Sequence, residues 1–179
     1  MSTTAILNNT MNEGAEGKRH TLSLHVANKP GVLIRISLVF ARRGYNIDSL
    51  VVSPTNDPRF STMNIACSGD EKTLDQILKQ LNKLVDVVHA RDCTDMEVIH
   101  RELALMKVRC NDENRGSILL LAHSLGCDTV DLGSHSVTFE VSGDSEKLDG
   151  ISKVFEQYGV EEMIRTGKVL IARGDVHTS

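Results

Sequence analysis

A chain of 179 residues that is 40% hydrophobic and 25% charged, with three prolines, has the make-up of a soluble globular protein and is long enough for one ordinary domain or two small ones. Its net charge of -4 removes the long-range attraction to phosphate on which most nucleic-acid binders rely, and no run of about 18 apolar residues is present to span a membrane. With no Trp, two Tyr and four Phe, its cores must be small and aliphatic, so further burial against another copy or a partner is expected.

Residues 1–18 are polar, small and aperiodic, and include Glu13 and Glu16. They fit neither a secretory signal nor an acid-poor transit peptide, and are expected to form a flexible tail on a cytoplasmic protein. Leu22, Leu24 and Val26 then alternate with Thr21, Ser23 and His25, the period of a half-buried strand. After Asn28-Lys29-Pro30-Gly31, the residues Val32, Leu33, Ile36, Val39 and Phe40 share one side of a helix that Gly44 ends. Residues 45–53 read as a second strand, Pro54 to Pro58 as a turn, and Met63, Ile65 and Cys67 as a third strand, making a hairpin. Asp70 is placed to cap a helix with apolar residues Leu74, Ile77, Leu78, Leu81, Leu84 and Val85, and residues 86–92 close the unit as a fourth strand. Strand, helix, strand, strand, helix, strand is the ferredoxin-like order.

The segment Ser68-Gly69-Asp70 through Leu74-Asp75 recurs as Ser142-Gly143-Asp144 through Leu148-Asp149. Around the second copy lie an alternating strand, with Leu103, Leu105, Lys107 and Arg109 against Ala104, Met106, Val108 and Cys110, and a helix through Ile118, Leu121, Ala122 and Leu125. A strand through Val137, Phe139 and Val141 comes next, then a helix through Leu148, Ile151, Phe155 and Tyr158, and a last strand at 168–172. The expected fold is therefore α+β, with two tandem ferredoxin-like (βαββαβ) domains over 19–95 and 96–174 and a short tail at 175–179.

Catalytic signatures are missing: no GxSxG, P-loop, GxGxxG or HExxH occurs, and no histidine has a partner at ligand spacing, so neither a catalytic nor a metal site is expected. Cys67, Cys93, Cys110 and Cys127 are widely spaced, without a CxxC pair, and read as reduced core thiols. The junction Asn28-Lys29-Pro30-Gly31-Val32-Leu33 has two readings. It is a tight strand-to-helix turn, or it is a site where the unpaired amides at the positive end of the helix bind a carboxylate while Gly31 permits close approach. In the second reading Asn28 holds a polar group, and Asn46 adds a contact from the neighbouring strand.

Asn28-x-x-Gly31-x-Leu33-x-Arg35, with Phe40 to Leu50 after it and the string Arg43-Gly44-Tyr45-Asn46-Ile47-Asp48-Ser49-Leu50 inside that stretch, resembles the first ACT domain of acetohydroxyacid synthase small subunits. The resemblance runs on through Gln80 to Val87 and Arg101 to Val108 and ends near Arg173-Gly174. It implies a regulatory subunit whose N-terminal ACT domains pair and hold a branched-chain amino acid, commonly valine, at their interface, so that a separate catalytic subunit is activated and feedback-inhibited. Matched by motif, the effector-binding residues are Asn28, Gly31, Val32, Leu33, Asn46 and Ile47. Thiamine diphosphate, a divalent metal and FAD are implied for the catalytic partner and no cofactor for this chain; a homodimer or larger assembly is implied as well. Lys29-Pro30 departs from the acidic or small polar pair of many relatives, and the second repeat has Asn111-Asp112-Glu113-Asn114-Arg115-Gly116 instead of an Asn-x-x-Gly turn. A free-standing ACT-domain sensor acting on a different enzyme is the competing reading.

Overall fold

The computed structural model describes residues 18–176 and 178. The expected N-terminal tail lies outside the described residues except for Lys18, as do positions 177 and 179 of the C-terminal one. The chain divides into two compact units, the second being Val98–Arg173. None of the helices of the described residues is long and apolar enough to cross a membrane.

The first unit contains β1 (Lys18–Ala27), α1 (Val32–Ala41), β2 (Asn46–Pro54), β3 (Phe60–Gly69), α2 (Glu71–Leu81) and β4 (Val87–Asp92). Its sheet is antiparallel in the order β2-β3-β1-β4. Alternation sends Leu22, Leu24 and Val26 of β1 and Met63, Ile65 and Cys67 of β3 to one face, where they meet Ile36, Phe40, Leu74, Ile77 and Leu81 of the two helices. Asp70 accepts the Thr73 N–H at 2.9 Å and so starts α2 as expected. That helix ends earlier than its apolar spacing predicts. Asn82 leaves it to bond β4, donating to the Ala90 carbonyl and accepting the Ala90 N–H, so Leu84 packs on the core from a turn while Val85 is 100% exposed.

The second unit repeats the plan with β5 (Val98–Arg109), α3 (Arg115–Ser124), β6 (Asp128–Leu132), β7 (Ser136–Gly143), α4 (Ser145–Glu156) and β8 (Val160–Arg165), in the order β6-β7-β5-β8. Asp144 caps α4 through the Lys147 N–H at 2.8 Å, the counterpart of Asp70. The strand expected at 168–172 is not the fourth strand of this sheet. It is β9 (Val169–Ala172), paired with the first residues of β5, whereas the fourth place belongs to β8, whose sequence Val-Glu-Glu-Met-Ile-Arg alternates too weakly to announce itself. β6 likewise gives no periodic signal, being an edge strand exposed at every residue. The α+β fold with two ferredoxin-like halves stands.

All four cysteines are free and buried, and burial raises the Cys67 thiol to about 12, with the carboxylates of Asp48 and Asp92 adding to the shift. Because the thiolate is the reactive species, a thiol-specific chromogenic reagent at pH 8 is expected to label the native protein only slowly, and to label four thiols promptly in denaturant. Prompt native labelling of Cys67 would contradict the packing of β3.

Candidate functional site

The junction between β1 and α1 is built from backbone that ordinary residues avoid. Gly31, the N-cap, sits at φ 83 and ψ -7, the left-handed region that costs a side-chain-bearing residue about 1–2 kcal/mol. A Cβ there would find ordinary space, its nearest neighbour being Arg35 Nη1 at 3.6 Å, so the backbone rather than crowding calls for glycine.

Beyond Gly31 the helix starts without a lid. α1 has no side-chain cap and no acidic residue in its first turn, whereas α2 and α4 each have a capping aspartate and a first-turn glutamate. The Val32 N–H reaches the Lys29 carbonyl at 3.4 Å, but those of Leu33 and Ile34 take no acceptor among the described residues. The α3 start likewise has no side-chain cap and no acidic residue in its first turn, and differs in the turn before it, where Asn111 and Asn114 each accept the other's backbone N–H, at 2.9 and 2.7 Å. An open helix N-terminus is an anion site in waiting, since its N–H groups and the helix dipole both favour negative charge.

Two other segments flank the junction. Asp86, at the turn into β4, accepts the Ala27 N–H through its carbonyl at 2.8 Å and pairs with the Arg35 guanidinium at 2.6 Å. The β2–β3 turn comes from the opposite side: the Arg59 carbonyl takes the Asn28 N–H at 2.8 Å and the Pro58 carbonyl takes the Asn28 side-chain N–H at 3.0 Å. Within that turn the Arg59 guanidinium grips both carboxylate oxygens of Asp57 at 2.5–3.0 Å. Arg35, Asp57, Pro58, Arg59 and Asp86 are not among the effector residues matched by motif, although Arg35 stands in the motif itself. Pro58 stands 30 residues from Asn28, and only the pairing of β3 with β1 brings them together.

The structure unites Asn28, Gly31, Val32 and Leu33 at this junction, with Val32 turned into the core and Leu33 42% exposed. Asn46 and Ile47 lie elsewhere. Asn46 is level with Ser68 of β3, which is level with Arg19 at the start of β1, nine strand residues and so roughly 30 Å from Asn28. Its side chain donates to Asp48 at 3.1 Å, at the bulge where β2 shifts register against β3. The expected contact from Asn46 to the junction of its own chain is therefore absent, because β2 runs away from it.

Hydrogen bonds from the Arg59 side chain and backbone hold Asp57 down at about 2, against 3.8 ordinarily. A carboxylate lowered in this way contributes stability above its unfolded value and loses it as pH falls through the folded one. The turn is therefore expected to keep its shape from neutrality to below pH 4 and to open towards pH 2. A carbon-detected NMR titration giving an Asp57 midpoint near 4 would contradict the Arg59 contact.

These features define an ACT-type domain with an open helix start. A family model described as the AHAS small subunit-like ACT domain matches residues 22–89, and one described as the small subunit of acetolactate synthase matches residues 101–174. The chain is 42% identical over 155 residues to the acetolactate synthase small subunit of Mycolicibacterium smegmatis, covering 87% of this chain and 91% of that one. It is 41% identical over 157 residues to a probable acetolactate synthase small subunit of Archaeoglobus fulgidus, with 88% and 98% covered. Among solved structures, the acetolactate synthase small subunit of Thermotoga maritima superposes with a TM-score of 0.77 at 36% identity, covering 89% of this chain and 99% of that one. The chain belongs to the acetolactate synthase small-subunit family.

Proposed function

We propose that this chain is the cytoplasmic regulatory subunit of an acetolactate (acetohydroxyacid) synthase, that it binds a branched-chain amino acid, valine first among candidates, and that it thereby activates and feedback-inhibits a separate catalytic subunit. Thiamine diphosphate, the divalent metal and FAD belong to that partner in this reading, and this chain contributes no catalytic group. The observation that carries the effector site is the open start of α1 beside Gly31, in a unit whose other helix is capped.

The separation of Asn46 from Asn28 supports a site shared between two copies. β2 is an edge strand, so its outer N–H and C=O groups are available to pair. In a two-fold dimer two β2 strands run antiparallel, and the Asn46 end of one abuts the Pro54 end of the other. Because Pro54 is level with Ser61, and Ser61 with Val26, that pairing carries the partner's Asn46 and the partner's Ile47 towards the Asn28–Leu33 junction. Ile34 and Leu38, 66% and 45% exposed on α1, supply apolar surface for the same contact. The effector's carboxylate then meets the Leu33 and Ile34 amides, and its side chain the apolar seam between the copies.

A dimer or larger is expected by light scattering at tens of micromolar with valine present, and a monomer under those conditions would sink the shared site. The function itself is tested by mixing the protein with its cognate catalytic subunit and measuring acetolactate formation with and without valine, leucine or isoleucine. Gly31→Asp is expected to keep activation and to lose effector response, because its carboxylate occupies the route to the amides and pairs with Arg35. Loss of a charge-assisted hydrogen bond lowers affinity at least about tenfold. Gly31→Asn, which bears the same left-handed strain without the charge, is the control for a melt lowered by several degrees. If Gly31→Asp still binds valine as wild type does, the helix-start site is wrong.

A further inference from the structure

Asn28 is held by the β2–β3 turn in a way that a simple hairpin does not require. The turn is braced from within: Thr55 donates its N–H to the Phe60 carbonyl at 3.0 Å and its hydroxyl to the Asp57 carbonyl at 2.8 Å. Asp57 accepts the Arg59 N–H at 3.0 Å besides gripping its guanidinium. That guanidinium lies 5.6 Å from the centre of the Phe60 ring, on which His25 of β1 stacks at 4.9 Å. So braced, the turn offers the Pro58 carbonyl to the Asn28 side chain.

A carbonyl only accepts, so the amide group must turn its nitrogen to Pro58, and the oxygen on its other arm is fixed pointing away. Asn28 is solvent-exposed, and its Oδ1 takes no partner among the described residues. An outward acceptor at the junction that also carries the free N–H groups of Leu33 and Ile34 complements both ends of an α-amino acid. The amides suit the carboxylate, and the oxygen suits the ammonium.

Resting on the effector site proposed above, we infer that the β2–β3 turn sets the polarity of the Asn28 amide and so makes the site select ligands bearing an α-ammonium over equally shaped ligands without one. Asp57 and Arg59 are positioning residues that act through Pro58 and Asn28. Their loss lets the amide flip or rotate, and the ammonium then meets a donor as often as an acceptor.

The test compares valine with isovalerate, which keeps the carboxylate and the branched chain and lacks the ammonium. Calorimetry on the full-length wild type is expected to give valine a preference of about tenfold or more, the usual weight of one charge-assisted hydrogen bond. In Asp57→Ala and Arg59→Ala, the first half-buried, the second exposed and neither part of the core, valine affinity is expected to fall several-fold towards that of isovalerate, whose own affinity stays put. Asp57→Asn, which keeps an acceptor for the Arg59 N–H, is expected to recover much of the preference. The clamp is also read without any ligand: in the side-chain amide NMR spectrum of the free protein, one Asn28 proton is expected to be protected from exchange, and Asp57→Ala to expose it. Protection that survives Asp57→Ala overturns the clamp while leaving the effector site standing. Equal weakening of valine and isovalerate, or no change in either, overturns the selectivity. If wild type binds none of valine, leucine and isoleucine, the effector site fails and the selectivity with it, while the amide spectrum still decides the clamp.

Discussion

The central position of β1, flanked by β3 and β4, is the constraint on which the rest of the first unit depends. With Leu22, Leu24 and Val26 all facing the helices, β1 can pair on both sides only if α1 carries the chain across β3 to the sheet edge, where β2 begins. That crossing fixes where α1 starts. It must start at the end of the sheet where β1 leaves, β3 enters and the chain turns into β4. The junction, the β2–β3 turn and Asp86 are neighbours because the ladder has no other end at which to place them. A helix start there is surrounded by backbone carbonyls that tie down Asn28, yet nothing among the described residues caps it.

Duplication supplies a comparison inside one molecule. Both units have the same strand order, both start their second helix on an aspartate, and both carry register shifts in the second and fourth strands of the unit. Their first helices differ. Both start without a side-chain cap, but in the first unit a left-handed glycine leads into the helix, whereas in the second Asn111 and Asn114 accept each other's backbone N–H and Arg115 donates to the Ser134 carbonyl. The difference lies at the junction between the first strand and the first helix of each unit. It coincides with the departure of the second repeat from the Asn-x-x-Gly pattern.

Side-chain period is enough to find α1, α2, α4 and the inner strands, because each buries one face and polar residues mark the other. The same rule explains the misses. β6 buries nothing and β8 little, so neither carries an alternating pattern, while β9 does alternate and so stands in the sequence pattern where the fourth strand should be. Leu84 and Val85 continue the apolar spacing of α2, but Asn82 finds better hydrogen-bond partners on β4 than in another helical turn.

At the candidate site, the sequence by itself determined the elements that are local in the chain: the Asn-x-x-Gly turn, the helix after it, the tandem repeat and the family resemblance carried by residues 28–50. Those depend on neighbours a few positions apart. Tertiary structure decided what surrounds them, because a partner's distance in space is set by strand register and not by distance along the chain. Register brought Pro58 and Arg59 onto Asn28 and Asp86 onto Arg35. It also carried Asn46 to the far end of the sheet, so the six residues named from the motif do not converge within one chain.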